Sequence, residues 1–295
     1  MISVKGDEFY LGKKEVELAG SHTWNNVQPF NGKTVSLDTV TGNFTRLWTI
    51  ETRKANFADS PWGSNTEGLI SISDGPWKKD GSLNRRYYDR METVVKRAEK
   101  RDMVTGVILF EGSIQRIFGG AWENHPFNGL GPKRHEDIHS KGKWNKYQRA
   151  HVKELVTRLE PHDNVVYEVG NELARESVPW FQRKVIQWVR KFTDKPVGVS
   201  YASGRYDNRW MTNMDADFIV PGNGAKAGGV RKVAGFKGPQ ILDTDHSHPL
   251  VPRVSSLQTA WRDGRPLWLM DGLDGSILRN QGSLVPDRSY INSIV

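Results

Sequence analysis

Short apolar runs alternate along this chain with stretches of helical period, and that alternation predicts a parallel α/β sheet. Asp7–Leu11 and Glu15–Gly20 read as a hairpin about Gly12-Lys13 that leads into a first strand ending near Ser21. Further strands are expected at Phe44–Ile50, Val104–Phe110, Val165–Gly170, Val197–Tyr201, Asp217–Val220, Gln240–Thr244 and Leu267–Asp271. Between them, Tyr87–Arg101 repeats Met91, Val94, Val95 and Ala98 at helical spacing, and Trp144–Leu159 does so through Tyr147, Val152, Leu155 and Val156. Trp180–Phe192 and Pro252–Trp261 also read as helices, whereas Ser276–Val295 is too polar for a last helix of the same kind.

Eight strands with crossovers between them favour a single closed domain over residues 1–295. The expected fold is an α/β (β/α)8 TIM barrel with a short N-terminal β-hairpin. No Gly-x-Gly-x-x-Gly or phosphate-loop pattern follows any strand, which argues against an open nucleotide-binding sheet. A length of 295 residues suits such a barrel, which takes about 250.

Composition narrows the chemistry. The chain has no cysteine, so disulfides, thiolate metal sites and cysteine nucleophiles are excluded. No apolar stretch approaches the roughly 18 residues of a membrane span, and Met1-Ile2-Ser3-Val4-Lys5-Gly6-Asp7 shows no signal-peptide core. A soluble protein is expected, with a secreted mature form and a cytoplasmic one both open. The net charge of +8 leaves room for an anionic carbohydrate. Its spread over predicted outer helix faces such as Arg85-Arg86 and Lys100-Arg101 makes a nucleic-acid partner unexpected. Eleven Trp, eight Tyr and eleven Phe provide both core and sugar-stacking rings. Nothing in the sequence bears on oligomeric state.

Polar residues gather where the strands end. The first leads to His22, Trp24 and Asn25; the second carries Arg46 and runs to Glu51; the third reaches Glu111 and a loop with Trp122, His125, Phe127 and Asn128. The fourth gives Asn171 and Glu172. The seventh gives Asp243, Asp245, His246 and His248, and the eighth gives Asp271. In a barrel these ends form one face, where active sites are built. Glycoside hydrolysis needs two carboxylates astride the scissile bond. Glu172 is the candidate acid/base, and Asp245 or Asp243, from the opposite wall, the candidate second carboxylate. Arg46 would keep that second carboxylate ionised. Asn171, His22, Trp24, Asn25, Glu111, Trp122, His125, His246 and Asp271 are candidate substrate contacts, with Trp62 a further platform.

Tyr167-Glu168-Val169-Gly170-Asn171-Glu172 resembles the fourth-strand motif of the clan A glycoside hydrolases, the cellulase-like (β/α)8 barrels, and Arg46 resembles their second-strand arginine. Leu18–Asn26 and Asp243-Thr244-Asp245-His246 are similar to a poorly characterised branch of that clan. The resemblance implies that Glu172 is the acid/base, that Asn171 contacts the sugar 2-hydroxyl, that Arg46 supports the nucleophile, and that no cofactor takes part. Three departures stand out: aspartate replaces the usual seventh-strand glutamate, the sixth-strand His-x-Tyr is missing, and Trp268 sits within the eighth strand. The shorter aspartate shifts the carboxylate gap from about 5–5.5 Å, for retention, towards about 6.5–9.5 Å, for inversion. Retention is the expectation. A carbohydrate-binding pseudoenzyme on the same barrel is one alternative. The other is a metal-dependent hydrolase using Asp243, Asp245, His246 and His248.

Overall fold

The computed structural model of the chain describes residues 1–18, 20–22, 24–32, 34, 36–40, 42–56, 69–173, 178–201, 208–221, 233–243 and 267–270. The N-terminal segment forms β1 (Ile2–Lys5), β2 (Glu8–Leu11) and β3 (Lys14–Val16), an antiparallel meander. The expected turn at Gly12-Lys13 is present, joining Leu11 to Lys14. A second two-residue turn at Gly6-Asp7 adds β1, so the expected hairpin is a three-stranded sheet. Both turns need a residue at positive φ, and glycine supplies it at 61° (Gly6) and 64° (Gly12).

Five parallel strands follow in the order β5 (Phe44–Leu47), β8 (Val104–Ile108), β9 (Val165–Glu168), β10 (Val197–Ser200) and β11 (Phe218–Val220), each pairing with the next. All their residues are buried, as expected for a sheet covered on both faces. A second parallel sheet has the order β12 (Leu242–Asp243), β13 (Leu267–Met270) and β4 (Ser21–His22). The two meet where Ile219 N–H donates to Pro239 O (3.1 Å) and Ile241 N–H donates to Ile219 O (2.9 Å); on the other side β4 lies beside β5. After β5 the chain forms an unforeseen antiparallel pair, β6 (Lys54–Asn56) with β7 (Leu69–Ser71).

The helices cover the outer face. α1 (Arg85–Glu99) buries Tyr87, Tyr88, Met91, Val94, Val95 and Ala98. A single turn, α2 (Ile114–Ile117), follows β8, and α3 (Asn145–Leu159) buries His151, Val152, Leu155, Val156 and Leu159. α4 (Val178–Val189) follows β9. His151 ties this layer together. Its Nε2 lies 3.1 Å from Leu109 O, an acceptor only, so that nitrogen carries the proton and Nδ1 receives the Tyr88 hydroxyl at 2.9 Å. The expected helix at 252–261 lies outside the described residues.

The inner face is filled from the N-terminal end. Phe44, Val104, Val166, Phe218, Val220 and Ile241 pack together with Ile2 and Phe9 of the meander, which plugs that end of the strands. Two inner positions must be glycine. A Cβ on Gly106 would stand 2.9 Å from Phe44 Cζ, and one on Gly198 would overlap the Phe218 ring. With that end filled by apolar side chains, the buried polar residues Arg46, Glu51, Glu111, Glu168 and Asn171 lie towards the C-terminal ends of the strands or just beyond them.

Candidate active site

Arg46, from β5, points into the interior with no exposed surface. Its guanidinium pairs with Glu168 of β9, and Nη2 also donates to Asn171 Oδ1 at 3.0 Å. The guanidinium carbon lies 5.1 Å from the centre of the Trp48 ring. Trp48 Nε1 donates to His22 Nδ1 at 2.8 Å, so this imidazole nitrogen is an acceptor. Burial, reinforced by the Arg46 charge, holds His22 well below the usual histidine range, and it stays neutral. Trp24 packs on Trp48 with ring centres 5.7 Å apart, and Asn25 is buried beside it in sequence. The arginine expected to keep a seventh-strand carboxylate ionised thus has Glu168 of β9 and Asn171, just beyond that strand, among its described partners.

Glu172 follows directly. It adopts φ 45°, a left-handed conformation that costs a non-glycine residue roughly 1–3 kcal/mol and gathers at functional sites. The neighbouring backbone enforces it: Asn171 N–H donates to Phe110 O (2.9 Å) and Gly112 N–H donates to Asn171 O (2.8 Å). Gly112 lies so close that any Cβ there would strike the Glu172 carbonyl and the Leu173 backbone. The Glu172 carboxylate, 12% exposed, takes the Tyr201 hydroxyl on Oε1 at 3.1 Å and Arg116 Nη2 on Oε2 at 2.9 Å.

A second acidic group lies alongside. Glu51 has no exposed surface; its Oε1 accepts Glu111 N–H at 3.1 Å and its Oε2 lies 3.1 Å from His125 Nε2. Phe127 N–H donates to His125 Nδ1 at 3.0 Å, so neutral His125 carries its proton on Nε2 and donates it to Glu51. Burial still pushes Glu51 up to about 8 against the Glu111 donor and His125 down to about 3. Glu111 caps the turn that starts α2, accepting Ser113 N–H (2.7 Å), Ile114 N–H (2.8 Å) and the Ser113 hydroxyl. Burial raises it to about 7 against those donors, with the charge of Glu172 adding to the rise. Trp122 stacks over His125, with ring centres 5.5 Å apart.

Arg46, Asn171, Glu172, His22, Trp24, Asn25, Glu111, Trp122 and His125 all fall within described residues, at the strand ends or in the loops that follow them. Asp243 is a backbone position in β12, and Trp62, Asp245, His246, His248 and Asp271 lie outside the described residues. No group of three His, Asp or Glu stands placed for a metal ion among the described residues. Four site residues escaped the sequence reading. Glu51 was noted only as the end of a strand, although the same rule that selected Glu111 applies to it. Glu168 is in register with Val166 and Gly170 on the inner face, a period-two signal. Tyr201 ends the fifth strand. Arg116 sits on a four-residue helix that gives no periodic signal.

No family model and no curated protein sequence matches the chain. Solved structures do match in shape. An endo-1,4-beta-mannanase from Rhizomucor miehei superposes with a TM-score of 0.65 at 11% identity, over 100% of this chain and 99% of its own. An endo-beta-1,4-mannanase from Thermotoga petrophila gives 0.59 at 12% identity, over 96% and 78%. Endo-glycoceramidase II from Rhodococcus sp. gives 0.58 at 13% identity, over 87% and 73%. In fold, the chain is therefore similar to these glycosidases. At these identities the likeness is one of fold.

Proposed function

We propose that the chain is a single (β/α)8 barrel, closed through β4 and β5, that hydrolyses O-glycosidic bonds in a poly- or oligosaccharide. One observation carries this reading. Glu172 leaves the end of β9 in a strained conformation, clamped by Gly112, held by Tyr201 and Arg116, and preceded by an Asn171 tied to buried Arg46. A structural glutamate has no need of such restraint; an acid/base group must be held close to its working geometry.

In the reaction Glu172 gives its proton to the leaving glycosidic oxygen, and Asp245 or Asp243 attacks the anomeric carbon with retention. Glu172 then takes a proton from the water that releases the sugar. Asn171 holds the 2-hydroxyl. His22, Trp24, Asn25, Glu111, Trp122 and His125 are the substrate contacts proposed from the described residues, and His246 and Asp271, which follow the seventh and eighth strands in the sequence, are proposed beside them. Tyr201 and Arg116 both donate to Glu172, so one of them turns away when the substrate oxygen arrives.

The test is a screen of polysaccharides and aryl glycosides, with β-1,4-mannan first because two matched structures are mannanases. The parent and Glu172→Gln are compared. Turnover by the parent that collapses in the variant supports the proposal; equal turnover removes Glu172 from the mechanism. The Arg116 pair on Glu172 favours one second reading, a carbohydrate-binding protein without turnover. In that case the parent binds glycans and cleaves none.

A further inference from the structure

Away from these carboxylates, the loop that leads into α3 and one face of α4 line an open cavity of about 610 Å³, formed by Lys141, Gly142, Asn145, Trp180, Lys184 and Trp188. Trp180, Lys184 and Trp188 recur at intervals of four and form one stripe along α4. Trp188 is only 5% exposed and forms the floor. Trp180 is 39% exposed, the one strongly exposed aromatic ring among the described residues. The opposite wall is fixed. Gly142 N–H donates to Asn145 Oδ1 (2.8 Å), and Asn145 Nδ2 donates to Ser140 O (3.1 Å) and Gln148 Oε1 (2.7 Å). A Cβ on Gly142 would overlap the Trp144 ring, so the backbone here packs directly against that ring. Lys141 and Lys184 are both exposed, and neither pairs with an acid among the described residues.

We propose that this cavity is a second carbohydrate site that binds an acidic saccharide, one carrying carboxylate or sulfate groups. The exposed indole face offers a platform for the C–H face of a sugar ring. Two ammonium groups beside it meet the anionic substituents, and they are point charges suited to either anion. A single-stranded nucleic acid would need successive exposed rings along a basic track. Here one ring is exposed and the other is sealed into the floor. The site does not require Glu172 to be catalytic, and it lies on the helical layer outside the strand ends.

The experiment is calorimetric titration of the full chain with oligosaccharides of polygalacturonate, alginate and chondroitin sulfate. The methyl-esterified galacturonate and a single-stranded oligonucleotide are run alongside. Trp180→Ala, Lys141→Ala/Lys184→Ala and Glu172→Gln are compared with the parent, after circular dichroism shows each to be folded. At least one acidic saccharide binds the parent, more weakly at high salt. It binds Trp180→Ala and the double lysine variant about tenfold or more weakly, and it binds Glu172→Gln unchanged. The double variant also loses the salt dependence. Absence of binding across the acidic panel overturns the proposal. So does binding that survives both flank variants, or an oligonucleotide that binds more tightly through the same residues. Loss of turnover in Glu172→Gln bears on the catalytic reading alone.

Discussion

Arg46 and Glu168 stand 122 residues apart in the chain and form an ion pair whose side chains are 0% and 2% exposed. A charge buried this deeply is held by its partner, and removing one partner strands the other. Arg46→Met is expected to cost about 3–5 kcal/mol of stability, whereas the double change to methionine at 46 and 168 costs clearly less than the sum of the two single changes. Denaturant unfolding of the four proteins measures this. Additive costs would show that the pair does not act as a unit.

The two donors on Glu172 predict separate kinetic effects. Tyr201→Phe removes one restraint from the carboxylate and lowers kcat by about tenfold, with KM little changed, because a mispositioned acid suffers mostly in the transition state. Arg116→Ala removes a positive charge that favours the ionised carboxylate, so the proton is retained to higher pH. The alkaline limb of the kcat/KM profile therefore moves upward. A limb that stays in place would show that Arg116 does not act on the group that sets it, the proposed acid Glu172.

Stability should depend on pH in two opposing ways. Glu51 and Glu111 are raised by burial, to about 8 and about 7, from an ordinary value of 4.5. Their contribution is complete below about 4.5 and is lost as pH rises through those values. His125, His139 and His151 are lowered by burial to about 3. Their contribution is complete above about 6.5 and is lost as pH falls towards 3. The melting temperature should therefore peak at about pH 6.5. Glu51→Gln removes the fall between about 7 and 8, where Glu111 has already titrated, a slope of at most about 1.4 kcal/mol per pH unit. The same variant is less stable at the peak. Two N–H groups donate to the Glu51 carboxyl, and an amide can accept only one of them. Thermal scans across pH decide this, and an unchanged alkaline slope in the variant would rule Glu51 out as its source.

The fold was legible wherever burial made the strands continuous in apolar residues. β8, β9 and β10 all fall within their expected spans, because both faces of each are covered. The β6/β7 pair was not, since Ala55 and Ile70 are its only buried residues and the other positions read as loop. β1 was missed for the same reason: Ile2 alone is buried in it. At the site, Asn171 and Glu172 stood out because they follow a buried strand directly. Glu168 did not, since one acid in an apolar run looks like the outward residue of an alternating strand; here it faces inward because Arg46 meets it there. Arg116 reaches Glu172 only through the fold, across 56 residues of chain.

The central claim is that Glu172 hands a proton to the departing oxygen, and the dependence on leaving group tests it most directly. Parent and Glu172→Ala are compared on one glycone carrying either a sugar-alcohol leaving group or an activated dinitrophenolate. The alcohol needs protonation and the phenolate does not. The account predicts that cleavage of the alcohol glycoside falls by about 10²–10⁴-fold in the variant, with bond breaking in the activated glycoside far less affected. Equal losses on both, or no loss on the alcohol glycoside, would contradict it.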